Sequence, residues 1–375
     1  MESAVKTFQL AIIGAGVSGL AAALSLHAIK DIKVTIFEKS KDFSGRAATQ
    51  KKDNFIWDFG ANYFSTDNPE LIDFVLKKLP VDDLIEIKKP INVFNLEGII
   101  TPGDPIYNKK SKWNYKSGIS NIGRLMYELC DKKVECKRSL SIGKLSSEKN
   151  SESSTGHKWR LYSSEKEDLG IYDAVLLTPP SPEIISIIKA SDFSEDLQTT
   201  QQEIIKGLES AEYNTQITVA LAYKTWISDS LEYYALINSD RKHDIAWLSV
   251  EDDKLGHVPE GNSLIIVQMA ASWTKNSWNK SSDEIALEVR EKAEELLQVK
   301  DKLKKDDLLF SDVQRWPYAL PTKVANKAAL LDASKCGLFF SGDYLVGRGR
   351  VMEALETGLR AAEQIKSIYH TQPGL

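Results

Sequence analysis

The chain has 375 residues, 42% of them hydrophobic and 27% charged, which suits a soluble globular protein with a sizeable core and two or three domains. A net charge of −5 leaves no basic excess to neutralise phosphates and argues against nucleic acid as a partner. Three cysteines without a C-x-x-C, five dispersed histidines and no long apolar run argue against a redox disulfide, a metal centre and a membrane span, and make a cytoplasmic location the default.

Residues 8–13 read as a short buried strand, and Gly14, Ala15, Gly16, Val17, Ser18, Gly19 follow as G-x-G-x-x-G before an Ala/Leu-rich helix over 20–29. A second strand, 33–37, ends at Glu38. In this order each residue has a physical task. Gly14 permits a tight turn, Gly16 lets a pyrophosphate approach the backbone, and Gly19 lets helix and strand pack closely. The helix N-terminus favours anionic phosphates, and Glu38 suits an adenosine ribose, which disfavours a 2′-phosphate there. A bound dinucleotide is expected.

Further along, 55–63 is extended, 69–79 a short amphipathic helix, 91–100 a hairpin about Glu97-Gly98, 120–130 a helix and 133–144 strand-like. The polar stretch 145–157 reads as a mobile hairpin tip ahead of a strand at 158–163; strand 172–177 and helix 182–189 follow. From 216 the pattern becomes that of a mainly antiparallel sheet, with strands at 217–223, 233–237, 245–250 and 264–271. A charged amphipathic helix at 283–299, strands at 308–315 and 338–342, and a helix at 351–368 complete the chain.

Two further anchors accompany the glycine loop. Arg46 is placed to neutralise a pyrophosphate, with Gly45 leaving room for close approach. Asp58-Phe-Gly-Ala-Asn-Tyr-Phe64 is a small-residue turn flanked by aromatics, suited to passing beside a planar ring. Near the other end Gly342-Asp343 closes a strand, so that Asp343 would accept from a polyol chain. The helix starting at Val351 would turn its positive end to a ring atom that becomes anionic on reduction.

With these residues the chain resembles the flavoprotein amine-oxidase superfamily, and within it the renalase-like proteins. The likeness is carried by Gly45-Arg46, by Asp58 to Phe64, by Gln314-Arg-Trp-Pro-Tyr-Ala319, and by Gly342-Asp343 with Gly349-Arg350-Val351. It implies non-covalent FAD. Gly14, Gly16, Val17, Ser18 and Gly19 would lie at the pyrophosphate, Glu38 and Lys39 near the adenosine ribose, Gly45 and Arg46 at the phosphates, and Val134 at the adenine. Gly60, Ala61 and Asn62 would lie beside the flavin, Gly342 and Asp343 at the ribityl or phosphate region, and Arg350, Val351 and Met352 at the pyrimidine edge. The chain departs from the superfamily at Ser44, where a glycine is usual, at Asn62, where Gln is usual, and at Met352-Glu353.

The implied fold is α/β: a discontinuous Rossmann-like FAD-binding domain (1–66, 105–185, 308–375) with an inserted, mainly antiparallel α+β substrate domain (67–104, 186–307). With no second G-x-G-x-x-G, the electron donor is expected to be a small molecule, of dihydronicotinamide or amine type, with O2 as acceptor and H2O2 as product. Asn62, Tyr63, Trp316 and Tyr318 are the candidate substrate-side residues. Trp247 and Trp273 read more readily as core packing, and His243 and His257 receive no role. Two alternatives accompany this reading: an amine or polyamine oxidase, and an FAD-binding protein with little turnover.

Overall fold

Phe8–Ile13 is the central strand of a five-stranded parallel sheet in the order Leu338–Phe340, Ala174–Leu177, Phe8–Ile13, Ile32–Phe37, Val134–Lys137. Strands covered on both faces read as continuous apolar runs, as Ala-Val-Leu-Leu at 174–177 does. The computed structural model describes residues 7–151, 153, 155–299, 303, 305–347 and 349–370. Over these the chain forms two compact units, Met1–Gly45 with Ile122–Tyr213 and Leu320–Leu375, and Arg46–Asn121 with Asn214–Ala319.

In the first unit, helix Val17–Leu26 follows the glycine loop and packs on the last helix, Val351–His370. The two approach so closely that a Cβ on Gly358 would lie 2.1 Å from the Ser18 carbonyl oxygen. A three-stranded antiparallel sheet (Ile142–Lys149, His157–Ser163, Asp168–Tyr172) adds Trp159 to the core, its Nε1 donating to the Cys336 carbonyl at 2.7 Å.

The second unit is built on a seven-stranded sheet, in the order Leu308–Lys323, Glu212–Tyr223, Ser263–Met269, Ile245–Val250, Ala235–Asn238, Ile91–Phe94, Ile100–Thr101. From Glu212–Tyr223 onward the pairings are antiparallel except where Ala235–Asn238 runs parallel to Ile91–Phe94. Side chains alternate between its faces. Ile217, Val219, Leu248 and Val267 join one core with Ile285, Val289, Ala293 and Leu296 of helix Ser282–Leu297. That helix starts at a capping box in which Ser281 and Glu284 satisfy each other's backbone N–H. The opposite face carries Ala220, Ala222, Leu264 and Ile266 against Phe55, Trp57 and Phe59.

The α/β class, the parallel sheet and the antiparallel sheet agree with the sequence reading. Several elements depart from it. Residues 145–149, expected in a hairpin tip, continue the strand Ile142–Lys149; Glu152 and Ser154 of that tip lie outside the described residues. Pairing of Ser146 with Arg160 and Glu148 with Lys158 satisfies the backbone whatever the side chains, and Glu148 also bonds the Arg160 guanidinium at 2.7 Å. The strand expected to end at 271 stops at Met269, and Ala271–Ser277 is helical. The strand expected over 308–315 runs to Lys323 through Pro317 and Pro321. Helix Gln198–Glu209 has no counterpart in the sequence reading; its Gln/Thr-rich start hides the short apolar set Ile204 and Leu208. Among the described residues no helix is long and apolar enough to cross a membrane.

Candidate functional site

The glycine loop divides its tasks among three backbone geometries. Gly14 has φ +103°, a conformation that costs an L side chain, and the Thr178 hydroxyl lies 2.4 Å from where its Cβ would be. A Cβ on Gly19 would meet the Gly14 carbonyl oxygen at 2.2 Å, so helix and turn are in backbone contact there. Gly16 differs: nothing lies within 4 Å of its absent Cβ. It is the N-cap of Val17–Leu26 and has no side-chain cap, and the first helical turn holds no acidic residue. Val17, Ser18 and Gly19 therefore begin a helix whose positive end faces open space.

Glu38 is buried beside this loop. Its Oε2 accepts from the Ala15 amide at 2.7 Å and its Oε1 from the Ser40 amide at 2.7 Å, which fixes the carboxylate against the turn. Lys39 points outward to Glu183. Val134 is buried opposite Val34 in the edge pairing of the sheet. Ser44 has φ +78° and lies beside Gly16; its hydroxyl accepts from the Gly123 amide at 3.1 Å, a bond no glycine would make. Gly45, with φ +57°, brings its Cβ position to 3.4 Å from the Gly16 Cα. Gly342, Asp343, Val351 and Met352 are buried and Arg350 is exposed. The Tyr213 hydroxyl donates to Asp343 Oδ1 at 3.4 Å, and the Gly342 amide donates to the Thr357 hydroxyl.

In the second unit, the turn 58–64 is fastened at nearly every residue. The Gly60 Cβ position is 1.8 Å from the Arg46 carbonyl oxygen, which also accepts from the Ala61 amide at 3.1 Å. Arg46 Nη1 donates to the carbonyls of Tyr318 and Ala319 at 3.3 and 3.0 Å. Trp316 stacks on Phe59 at 5.5 Å between centroids and donates from Nε1 to the Phe59 carbonyl at 3.1 Å. Gln268 Nε2 donates to the Gly60 carbonyl at 2.6 Å, and Tyr63 stacks on Trp247 at 5.9 Å and bonds the Tyr107 hydroxyl.

Beneath the turn lies a buried ionic cluster that the sequence reading does not contain. Lys254 Nζ donates to Asp58 Oδ2 at 3.0 Å and to Glu251 Oε2 at 2.7 Å, with all three side chains at 0% exposure. Asp58 also accepts from Asn114 Nδ2, the Thr49 hydroxyl and the Ile119 amide, and Asn114 Nδ2 donates onward to the Asn62 carbonyl at 2.8 Å. Burial opposes ionisation of Asp58, but the Lys254 and His257 charges and these donors outweigh it and hold its carboxyl below the ordinary range. Burial likewise opposes the charge on Lys254, and the carboxylates of Glu251 and Asp58 reverse that and raise its pKa. His257, given no role from sequence, is fully buried, with Nε2 donating to the Tyr115 carbonyl at 2.9 Å and Nδ1 3.6 Å from Glu251. Asp58, Glu251 and His257 lie within 4.8 Å of one another, as metal ligands do, but the cation bonded to both carboxylates is the Lys254 ammonium. The Glu251-x-x-Lys254-x-x-His257 spacing is visible in the chain, but nothing local ties it to Asp58.

Two family models match. Residues 12–77 fit an NAD(P)-binding Rossmann-like domain, and residues 149–366, more than half of the chain, fit the flavin containing amine oxidoreductase model. The chain belongs to the flavin-containing amine oxidoreductase family. The family is one of flavin-containing oxidoreductases, and its cofactor is FAD. Its fold is that of a proposed protoporphyrinogen oxidase of Exiguobacterium (TM-score 0.74, 14% identity, 97% of this chain and 100% of the other). It is also that of cyclohexylamine oxidase of Brevibacterium oxydans (TM-score 0.70, 13% identity, 97% and 100%). Among curated sequences it is similar to protoporphyrinogen oxidase 2 of Arabidopsis thaliana, 35% identical over 106 residues, or 28% of this chain and 21% of the relative. The matched stretch spans about a fifth of the length of the curated relatives. The open space at Gly16 before an uncapped helix end, and the carboxylate of Glu38 beside it, fit the pyrophosphate and ribose of FAD.

Proposed function

We propose that this family member is a renalase-like oxidase, which takes a hydride from a small electron-rich donor of dihydronicotinamide type and delivers the two electrons to O2. In balance, the donor loses a hydride and becomes its oxidised pyridinium, and O2 with two electrons and two protons becomes H2O2. FAD, when bound, supplies the two-electron relay.

The chain's own residues have three tasks in this reading. Gly14, Gly16, Val17, Ser18, Gly19 and Glu38 hold the dinucleotide by backbone amides, helix dipole and one carboxylate. Gly342, Asp343 and the helix start at Val351 and Met352 serve the flavin end. Asn62 and Tyr63, on a turn whose backbone is bonded at Phe59, Gly60, Ala61 and Asn62, and Trp316 and Tyr318, on strand Leu308–Lys323, serve the donor.

The observation that carries the donor class is electrostatic. Asp58 and Glu251, the carboxylates beneath the turn, are both bonded to Lys254. Neither is left to attract an ammonium group, whereas the aromatic pair Tyr63 and Trp247 suits a flat, uncharged ring. The test is an anaerobic absorbance scan of the FAD-loaded protein near the flavin band as donors are added singly. Bleaching by a dihydronicotinamide, reversed by air with H2O2 formed, is the expected result. Bleaching by a monoamine or spermine alone would replace this reading with an amine oxidase, and no bleaching by any donor would leave a binding protein with little turnover.

A further inference from the structure

Ala15, between the first two glycines of the loop, is gripped from both sides. Its amide donates to Glu38 Oε2 at 2.7 Å, and its carbonyl accepts from the Ser44 amide at 2.8 Å. Ser44 forms a parallel bridge with Gly16, and the Gly45 Cβ position lies 3.4 Å from the Gly16 Cα. Residues 44 and 45 therefore stand beside the open space at Gly16, and both have positive φ. Glycine takes such a φ freely and serine only at a cost, so the side chain of Ser44 must contribute something in return.

That contribution comes from helix Asn121–Glu128, which Phe43 and Ser44 meet at two places one turn apart. The Phe43 ring lies on Tyr127, 4.8 Å between centroids, and the Ser44 hydroxyl accepts from the Gly123 amide at 3.1 Å. Gly123 is the third residue of the helix, where an amide has no backbone acceptor within the helix itself. A Cβ at Gly123 would overlap the Ser44 hydroxyl, so this contact needs a glycine opposite the serine. Arg138 closes the other side of the loop: its Nη1 donates to the Lys41 carbonyl at 2.9 Å, and its guanidinium lies 5.0 Å from the Phe43 ring centroid.

We infer that Ser44 is a positioning residue for FAD: its hydroxyl, seated on the Gly123 amide, holds residues 44 and 45 against Gly16, where the pyrophosphate enters. It acts through the helix and touches no reacting atom. The inference rests on the pyrophosphate lying at the glycine loop, and it is independent of the electron donor.

The test measures the affinity of the FAD-free protein for FAD by quenching of FAD fluorescence, and its stability by urea unfolding. ADP, which carries the pyrophosphate without the flavin, is the competing ligand. Ser44→Ala removes the hydroxyl and keeps a side chain at positive φ; Ser44→Gly removes the hydroxyl and frees the backbone. Both should weaken FAD and ADP alike, roughly fivefold. Gly123→Ala should do the same by displacing Ser44, and should add little on the Ser44→Gly background. Reduced stability with unchanged affinity for both ligands would leave Ser44 a helix cap alone and overturn the inference. So would a Ser44→Gly protein that binds FAD like the wild type, because the hydroxyl would then be dispensable. Weakening by Ser44→Ala but not by Gly123→Ala would assign the hydroxyl to the ligand itself and overturn the action through the helix. A Gly16→Val protein that binds FAD as before would instead remove the pyrophosphate from the loop, whatever the Ser44 variants do.

Discussion

The glycine loop at 14–19 and the ionic cluster at Asp58, Glu251, Lys254 and His257 are both tightly constrained, and they are constrained in opposite ways. In the loop, apart from Thr178 packed on Gly14, the constraints come from atoms close in sequence: the Gly19 Cβ position meets the Gly14 carbonyl, and the helix dipole belongs to the next ten residues. In the cluster the partners are 196 positions apart for Lys254 and Asp58, and each is buried only because the others neutralise it. A local constraint leaves a motif in the sequence. A long-range one leaves three unremarkable charged residues.

The largest expected effect is on the long-range side. Lys254→Met should cost about 3–5 kcal/mol of unfolding free energy, because Asp58 and Glu251 would remain buried without their counter-charge. Urea unfolding measures it, and a triple variant adding Asp58→Asn and Glu251→Gln should recover much of the loss. A Lys254→Met protein of unchanged stability would break the comparison outright.

On the local side, Gly19→Ala should cost about 1–3 kcal/mol, since its Cβ would overlap a carbonyl oxygen at 2.2 Å and helix and strand must separate. The same denaturant titration checks it.

A third test sharpens the role of burial alone. Desolvation raises the Asp252 carboxyl from 3.8 to about 7, against the bonds from Ser263 and the Leu264 amide. The folded protein then keeps a proton that the unfolded chain releases between those values, so its stability falls as pH rises from 3.8 to about 7 and levels off above. Asp252→Asn should remove that group's share of the fall, seen as a smaller drop in Tm across the window than in the wild-type protein.

The smallest expected effect on stability is the most informative for function. A Cβ at Gly16 meets nothing within 4 Å, so Gly16→Val should shift the stability of the FAD-free protein by no more than about 1 kcal/mol, yet the purified protein should be colourless. A yellow Gly16→Val protein would displace the pyrophosphate from this loop.

Both sets of partly legible residues follow the same division. Asp58 to Phe64 stood out in the chain as a turn with aromatics, but not the hub that holds it, because Asn114 and Lys254 carry no local signature. Trp316 reads as an aromatic wall, and its Nε1 is bonded to the Phe59 carbonyl. Trp247 reads as core, and its Nε1 is left without a partner. Where each indole meets the 58–64 turn, not composition, decides which is satisfied. Ser44 shows the reverse: a departure from glycine at φ +78° is accompanied by a hydroxyl bond to the Gly123 amide, which the chain alone does not reveal.

By itself the sequence determined the α/β class, the strand–glycine–helix order that marks a dinucleotide fold, and the antiparallel character of the second half. Hydrophobic periodicity and backbone sterics act within a few residues and are written in order along the chain. Tertiary structure alone decided which charges neutralise one another beneath the 58–64 turn and which buried polar atoms find a partner. Burial and low dielectric give those pairings their strength, and both exist only once distant segments have packed.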